Sequence, residues 1–308
     1  MTKVPNLQVE LFGCTLKSPL VLASGILGTT RDLLKSVAAH GAGAVTIKSI
    51  SVEARKGHPN PTVLNFGPGL INAVGYSNPG LEAAAEEFGD LQDVGAPVIG
   101  SLIGISEDDF ARIASRFDAL DFAALEIPLS CPHTPGFGRL GKQDNAEAAF
   151  RVVATVRAHS SKPIFVKLPP AASNLVDMAQ AAKEAGAYGI TAVNTIGPGM
   201  LIDVDTARPY LGFGIGGISG PPLKPLAVAS VFQLYEAVDL PIIGTGGVTT
   251  GRDAVEMVMA GASAVGLGSA VMSRGLSVFA KIQEEIREIL HARGVASLSE
   301  LKGLAHHA

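Results

Sequence analysis

Two lysines, two cysteines, a few asparagines and two glycine-rich runs hold the chemistry this 308-residue chain could perform. Lys48 and Lys167 each stand near the end of a short run that is otherwise apolar. Lysine is seldom placed inside a protein unless its charge meets an anion, so the pair points to a ligand that carries or develops negative charge. For either lysine alone, an ammonium group reaching out to the rim is the plainer reading. Cys131 opens a Pro/Gly-rich stretch, SCPHTPGFG (130–138), where a thiolate could serve as base or nucleophile and His133 could tune it; an inert packed cysteine is the alternative. Asn72 and Asn78 in INAVGYSNPG (71–80), and Asn194 in VNT (193–195), carry amides that donate and accept at once. Such groups suit an amide-containing ring, and they also suit ordinary turns. GTGGVTTG (244–251) and GLGSA (266–270) place glycines where backbone N–H groups can converge on a phosphate; tight turns with nothing bound are the competing reading.

Composition narrows the classes. With 47% hydrophobic and 17% charged residues the chain can build a large core and is too apolar for a disordered protein. A net charge of −4 without a Lys/Arg cluster argues against nucleic acid as a partner. No apolar run approaches the roughly 18 residues of a membrane span, and the first residues lack a basic-then-apolar leader, so a cytoplasmic protein without membrane contact is expected. Cys14 and Cys131 show no paired spacing, which argues against a metal cluster, and they fall toward opposite ends of the expected fold, which argues against a disulfide.

These groups need elements to hold them. Eight short, nearly all-apolar runs (20–24, 44–49, 97–102, 124–127, 163–168, 189–195, 241–246 and 264–269) read as parallel strands buried on both faces. Helical patterns follow at 32–39, 107–119, 145–158, 175–185, 224–238, 252–260 and 276–291, several ending at glycine. Strand–helix units in this number predict an α/β fold of the (β/α)8 TIM-barrel type, and no GxGxxG follows the first strand. Residues 9–16 alternate like a hairpin that would plug the opposite mouth. Enlarged loops follow strands two (51–91), four (from Cys131) and six (197–222), all on the carboxyl face where barrel enzymes keep their chemistry. No linker, fixed repeat or low-complexity tract interrupts the chain, so 1–308 reads as a single domain.

KSIS (48–51), NAVGYSNPG (72–80), SCPH (130–133), VKLPP (166–170), VNT, GGISGPPLKP (216–225), GTGGV and GLGSA occur in this order at predicted strand ends. Together they resemble the motif set of class 1 dihydroorotate dehydrogenases over nearly the whole chain. KS with GGISGP is most similar to class 1B, whose catalytic subunit carries FMN. The resemblance implies FMN contacts at Ala23, Ser24, Gly25, Lys48, Ser49, Ser101, Lys167, Val193, Ser219 and Gly220, with Gly246, Gly247, Gly268 and Ser269 at the phosphate. It implies substrate contacts at Lys48, Asn72, Ala73, Val74, Gly75, Tyr76, Asn194 and Thr195. By the same resemblance Cys131 is the base that removes a proton from C5 while flavin accepts hydride from C6, and Lys167 stabilises charge on the reduced ring. A homodimer core and an electron-transfer subunit with FAD and an iron–sulfur cluster are the implied partners, and dihydroorotate or a related dihydropyrimidine the substrate.

The sequence departs from the family where the ring would be read. The usual NxSCPN is Pro128-Leu129-Ser130-Cys131-Pro132-His133, Ser101 replaces an asparagine near the flavin, and GNPxPR reads GHPNPT (57–62). Losing a well-placed amide costs about 1–3 kcal/mol when its partner stays buried and unpaired. Two other functions therefore stand beside dihydroorotate oxidation: a related flavin enzyme acting on dihydrouracil-type or other rings, and a non-catalytic flavin-binding barrel.

Overall fold

The structure, a computed structural model, describes residues 4–129, 145–170 and 174–307. The eight apolar runs form β1 (Leu20–Leu22), β2 (Ala44–Thr46), β3 (Val98–Ser101), β4 (Ala124–Pro128), β5 (Ile164–Leu168), β6 (Gly189–Ala192), β7 (Ile242–Thr245) and β8 (Ala264–Leu267). Each is buried along its whole length, because a run without polar alternation can leave neither face in water. The strands pair in parallel in chain order. Val265↔Leu20, Gly266↔Val21 and Leu267↔Leu22 then join β8 to β1 and close the barrel.

Strands β1, β2, β6 and β8 stop two or three residues earlier than the apolar runs suggest. Those last residues leave the ladder to line the carboxyl mouth.

Helices follow the strands in turn: α1 (Arg31–Ala39), α2 (Leu81–Glu87), α3 (Glu107–Asp118), α4 (Ala146–His159), α5 (Leu175–Glu184), α6 (Lys224–Ala237), α7 (Gly251–Met259) and α8 (Val278–Ala292). Periodicity and capping place them. In α3, Phe110, Ile113, Ala114 and Phe117 fall on one buried stripe behind a Ser106/Asp109 capping box. Helix α2 corrects the sequence expectation, which leaves 51–91 as loop. It has seven residues and is preceded by Gly80 at the N-cap, which offers no side-chain cap, so its local signal is weak.

The N-terminal hairpin pairs Val9–Leu11 with Cys14–Leu16, as the alternation predicts. Leu11, Phe12 and Leu16 pack with Val21, Ala44, Ile99, Ala124, Phe165, Ile243 and Ala264, the innermost residues of seven strands, and so fill the amino mouth. The Phe12 ring meets Phe165 edge-on at 6.2 Å, and the Phe12 N–H donates to the Tyr188 hydroxyl at 2.9 Å. Cys14 lies here, as a free thiol on the face away from the predicted site.

At the other mouth the loops after β2 and β6 zip into one antiparallel sheet. Val63–Asn65 pairs with Leu70–Asn72, which pairs with Gly216–Ser219, which pairs with Ile196–Gly199. Ile71, Ala73 and Leu211 form the small core of this lid. The loop after β4 lies outside the described residues from 130 to 144.

Truncating the plug tests whether the floor matters. Phe12→Ala is expected to cost about 3 kcal/mol in urea denaturation, the usual toll of an aromatic removed from a packed interior.

Candidate functional site

Residues two apart on a strand face the same way, so the barrel interior is built in layers. Above the apolar floor the next inward positions are Thr46, Ser101, Glu126, Lys167, Thr191 and Thr245, every one buried. Barrel interiors are more often filled here by branched apolar residues. Buried polar groups call for partners, and several of these have them: Thr191 Oγ1 donates to Glu126 Oε2 at 2.9 Å, and the Ser49 and Ser101 hydroxyls share a 2.8 Å bond.

On this layer stands a cavity of about 300 Å³. The end of β1 contributes Ala23, Ser24 and Gly25, the end of β2 Lys48 and Ser49, β5 Lys167, and the end of β6 Val193, Asn194 and Thr195. The lid lowers Asn72, Val74, Gly75 and Tyr76 onto one side, and Ser219 and Gly220 close another. Gly246, Gly247, Gly268 and Ser269 complete the ring after β7 and β8. The structure thus brings together nearly all the positions that the motifs single out. Ser101 and Ala73 are the exceptions among the described residues. Ser101 is fully buried and bonded to the Ser49 hydroxyl without lining the cavity itself, while Ala73 turns into the lid core. Asn78 is also occupied elsewhere: its amide bonds Ser51 Oγ and the Tyr76 carbonyl, and its oxygen accepts from the N–H groups of Ser51 and Gly80. Cys131 and His133 lie outside the described residues.

The cavity is electropositive at its floor. Lys48 makes no ion pair or side-chain hydrogen bond among the described residues, and burial, reinforced by the charge of Lys167, pushes its pKa below the lysine range. Lys167 is held: its Nζ donates to Ser24 Oγ at 3.1 Å and lies 3.9 Å from Glu126 Oε1.

The glycine end has a different character. A Cβ at Gly247, where φ is +74°, would stand 2.7 Å from the Lys224 N and Cβ and 2.9 Å from the Gly220 carbonyl; at Gly246, with φ +135°, it would stand 2.7 Å from the Ala227 Cβ. Only glycine lets the backbone pass here, which bares N–H groups to the cavity. The nearby cations are committed to the scaffold. Lys224 binds Asp253 at 2.8 Å and Glu256 at 2.7 Å; Arg274 binds Glu285 at 2.6 Å and the Thr249 carbonyl at 2.5 Å. An anion at this end would meet backbone dipoles.

Sequence reasoning missed Glu126 and Thr245. The Thr245 hydroxyl is buried against the cavity without a hydrogen-bond partner among the described residues, as expected of a group that a ligand completes. An acid inside the apolar run ALEIP was the available signal for Glu126.

Asp253 anchors the turn after β7, accepting from the Thr249 and Thr250 N–H groups at 3.0 and 2.9 Å. Burial alone would raise its pKa; the Lys224 bond and the threonine donors outweigh it and hold the carboxyl at about 2. The folded value lies below the ordinary 3.8, so the stabilisation is complete above that pH and is lost as pH falls through about 2. Asp253→Asn is therefore expected to cost about 1–2 kcal/mol at pH 7, with the gap in urea denaturation closing near pH 2.

The chain is similar to known proteins over nearly its whole length. The family profile described as dihydroorotate dehydrogenase matches residues 6–290. The chain is 44% identical over 300 residues to a Pyrococcus furiosus protein named "Dihydroorotate dehydrogenase B (NAD(+)), catalytic subunit", covering 97% of this chain and 99% of the other. Proteins with the same name from Methanothermobacter thermautotrophicus and Methanocaldococcus jannaschii are 42% and 39% identical, each alignment covering 97% of this chain and 98% of the relative.

Proposed function

The chain belongs to the dihydroorotate dehydrogenase family, in its class 1B branch, and we propose that it oxidises dihydroorotate to orotate in pyrimidine biosynthesis with FMN as resident cofactor. One observation carries this reading: apart from Ser101 and Ala73, every described residue assigned to cofactor or substrate lines a single cavity at the carboxyl mouth.

The residues fit FMN. Gly246 and Gly247, with Gly268 and Ser269, offer a backbone cradle of the kind a phosphate needs. The unpartnered Thr245 hydroxyl and the polar floor suit a ligand rich in hydrogen-bonding groups. Bound FMN would supply the acceptor for the hydride that leaves the substrate ring.

The protein's own side chains do the rest. Dihydroorotate carries a carboxylate, and Lys48 is the cavity cation without an ion-pair partner among the described residues, so Lys48 is assigned to it. Asn72 and Asn194 line the cavity and are assigned to the amide edges of the ring, with Asn72 Nδ2 also donating to the Gly217 carbonyl at 3.2 Å and Asn194 Oδ1 accepting from the Thr195 N–H at 2.9 Å. Lys167 sets a positive charge at the floor, favouring a ligand that gains negative charge. Cys131 is assigned as the base for the C5 proton, supported by its place three residues beyond Pro128, which lines the cavity. The lid sheet covers one side of the cavity with Leu70, Asn72 and Ser219.

Electrons then leave for another protein. The chain has two cysteines, too few to ligate an iron–sulfur cluster, and the words "NAD(+)" and "catalytic subunit" in the relatives' names support a partner subunit that carries FAD and such a cluster. A homodimer core is the arrangement we assign to this chain. No helix among the described residues is long and apolar enough to cross a membrane, in keeping with a cytoplasmic site.

Pro128 favours a second substrate for comparison. It lines the cavity with no side-chain donor or acceptor, so a dihydrouracil-type ring belongs in the same assay. Purified protein is expected to carry FMN that dihydroorotate bleaches anaerobically, and Cys131→Ala to slow bleaching by about 10²–10⁴-fold. Bleaching by dihydrouracil alone, or by neither, overturns the assignment.

The lowered pKa of Lys48 gives a second check. Orotate affinity, read from flavin difference spectra, should be highest where Lys48 is charged and weaken as pH rises, at a lower pH than an ordinary lysine would titrate. Lys48→Met should weaken binding about 10–100-fold, as loss of a charged hydrogen bond does, and abolish that pH dependence.

A further inference from the structure

Beneath the cavity lies a buried carboxylate that the reaction does not use. Glu126, in β4, is 3% exposed, and Lys167 and Thr191 beside it are 5% and 2% exposed. Its two oxygens are both engaged. Ser24 Oγ donates to Oε1 at 2.6 Å and Thr191 Oγ1 to Oε2 at 2.9 Å, while Lys167 Nζ stands 3.9 Å from Oε1 and donates to Ser24 Oγ at 3.1 Å.

An ionised carboxylate only accepts, so it fixes the direction of every bond around it. Ser24 must spend its hydrogen on Glu126, which turns its lone pairs to Lys167. The ammonium group is thus aimed twice, by attraction to Oε1 and by the oriented serine. Stability alone does not account for the arrangement, since a buried ion pair gains little over apolar packing of the same volume. There is also a force to resist. Lys48 and Lys167 line the same cavity with like charges, which adds to the effect of burial in lowering the Lys48 pKa, and the cavity wall itself contains no acidic residue among the described ones.

We propose that Glu126 is a positioning residue for Lys167: directly and through Ser24, its carboxylate holds the ammonium group at the cavity floor in the place from which it meets the cofactor. The inference rests on the FMN reading above.

A double-mutant cycle on the FMN-loaded protein tests it. Glu126→Gln keeps the size of the side chain, removes the charge and turns one acceptor into a donor. If Glu126 aims Lys167, the variant resembles Lys167→Met: the flavin midpoint potential, measured by reductive dye titration, falls, and anaerobic reduction by dihydroorotate slows about 10-fold, the worth of one charged hydrogen bond. In a Lys167→Met background the same substitution changes the reduction rate less than about two-fold, because its target is gone. Glu126→Asp, which keeps the charge, recovers part of the loss.

Simple loss of a negative charge would raise the potential, so a raised potential in Glu126→Gln overturns the proposal. An equal loss of rate in both backgrounds, the mark of structural support, overturns it as well. Should Glu126→Gln not fold, Thr191→Val removes one donor from the carboxylate and is expected to lower the potential only where Lys167 is present; the same shift in both backgrounds overturns the proposal. The dye titration needs no substrate. Wild-type protein that lacks FMN, or holds FMN that dihydroorotate leaves oxidised, fails the functional reading and is distinct from all of these outcomes.

Discussion

A closed barrel must have its interior filled, and this chain fills it unequally from bottom to top. Below, the hairpin presses Phe12 onto Phe165, and Gly189 on the neighbouring strand leaves room for the Phe165 ring. One layer up the residues become polar, and above them side chains give way to glycine and a cavity. The dry, closely packed floor matters to everything above it. Above that apolar floor, Glu126, Thr191 and Ser101 bond one another or the strand-end residues Ser24 and Ser49, and groups so bonded hold fixed positions. The lid sheet closes the other end by pairing two loops that are remote in sequence, Leu70–Asn72 with Gly216–Ser219.

Within that frame two kinds of electrostatics are kept apart. At the glycine end the formal cations Lys224 and Arg274 are spent on Asp253, Glu256 and Glu285, which shape the turns; attraction for an anion is left to backbone dipoles. At the floor the charges are formal: half-buried Lys48 and buried Lys167 against buried Glu126. Two cations and one carboxylate leave one positive charge unmatched, and Lys48 is the lysine without an ion-pair partner among the described residues. Under the proposed function, different ends of one cavity would serve a phosphate and a singly charged acid, with little competition between them.

The barrel was legible because parallel strands buried on both faces have an unmistakable apolar signature, and the strand order follows from the chain order. The lid was not. Val63–Asn65 and Leu70–Asn72 are three-residue strands paired around a Gly/Pro turn, and Leu70–Asn72 joins them to the lid by pairing with a segment some 145 residues away, a tertiary effect with no local trace. The site residues at strand ends were legible from motifs, but depth was not: Ser101 and Ser49 belong to the same cluster, yet the register puts one in the cavity wall and the other beneath it. Glu126 was missed for a related reason. Reading β4 as a uniform apolar run hides its alternation, whereas a period of two sets Ala124 in the floor, Glu126 in the polar layer and Pro128 at the cavity, just as Phe165 and Lys167 alternate on β5.

That alternation also gives Pro128 its meaning. It occupies the third inward position of the strand that carries Glu126, so the same rigid element that orients Lys167 from below presents an apolar ring to the cavity above. A proline there offers no hydrogen bond, but it leaves no amide to be stranded when the site empties, and its ring has no rotamer freedom to lose on binding. Under the proposed function, recognition on this side is by shape. Lys48, Asn72 and Asn194 on the facing elements must then supply the directional contacts, which concentrates the reading of the substrate on its carboxylate and on the amide edge nearest the lid.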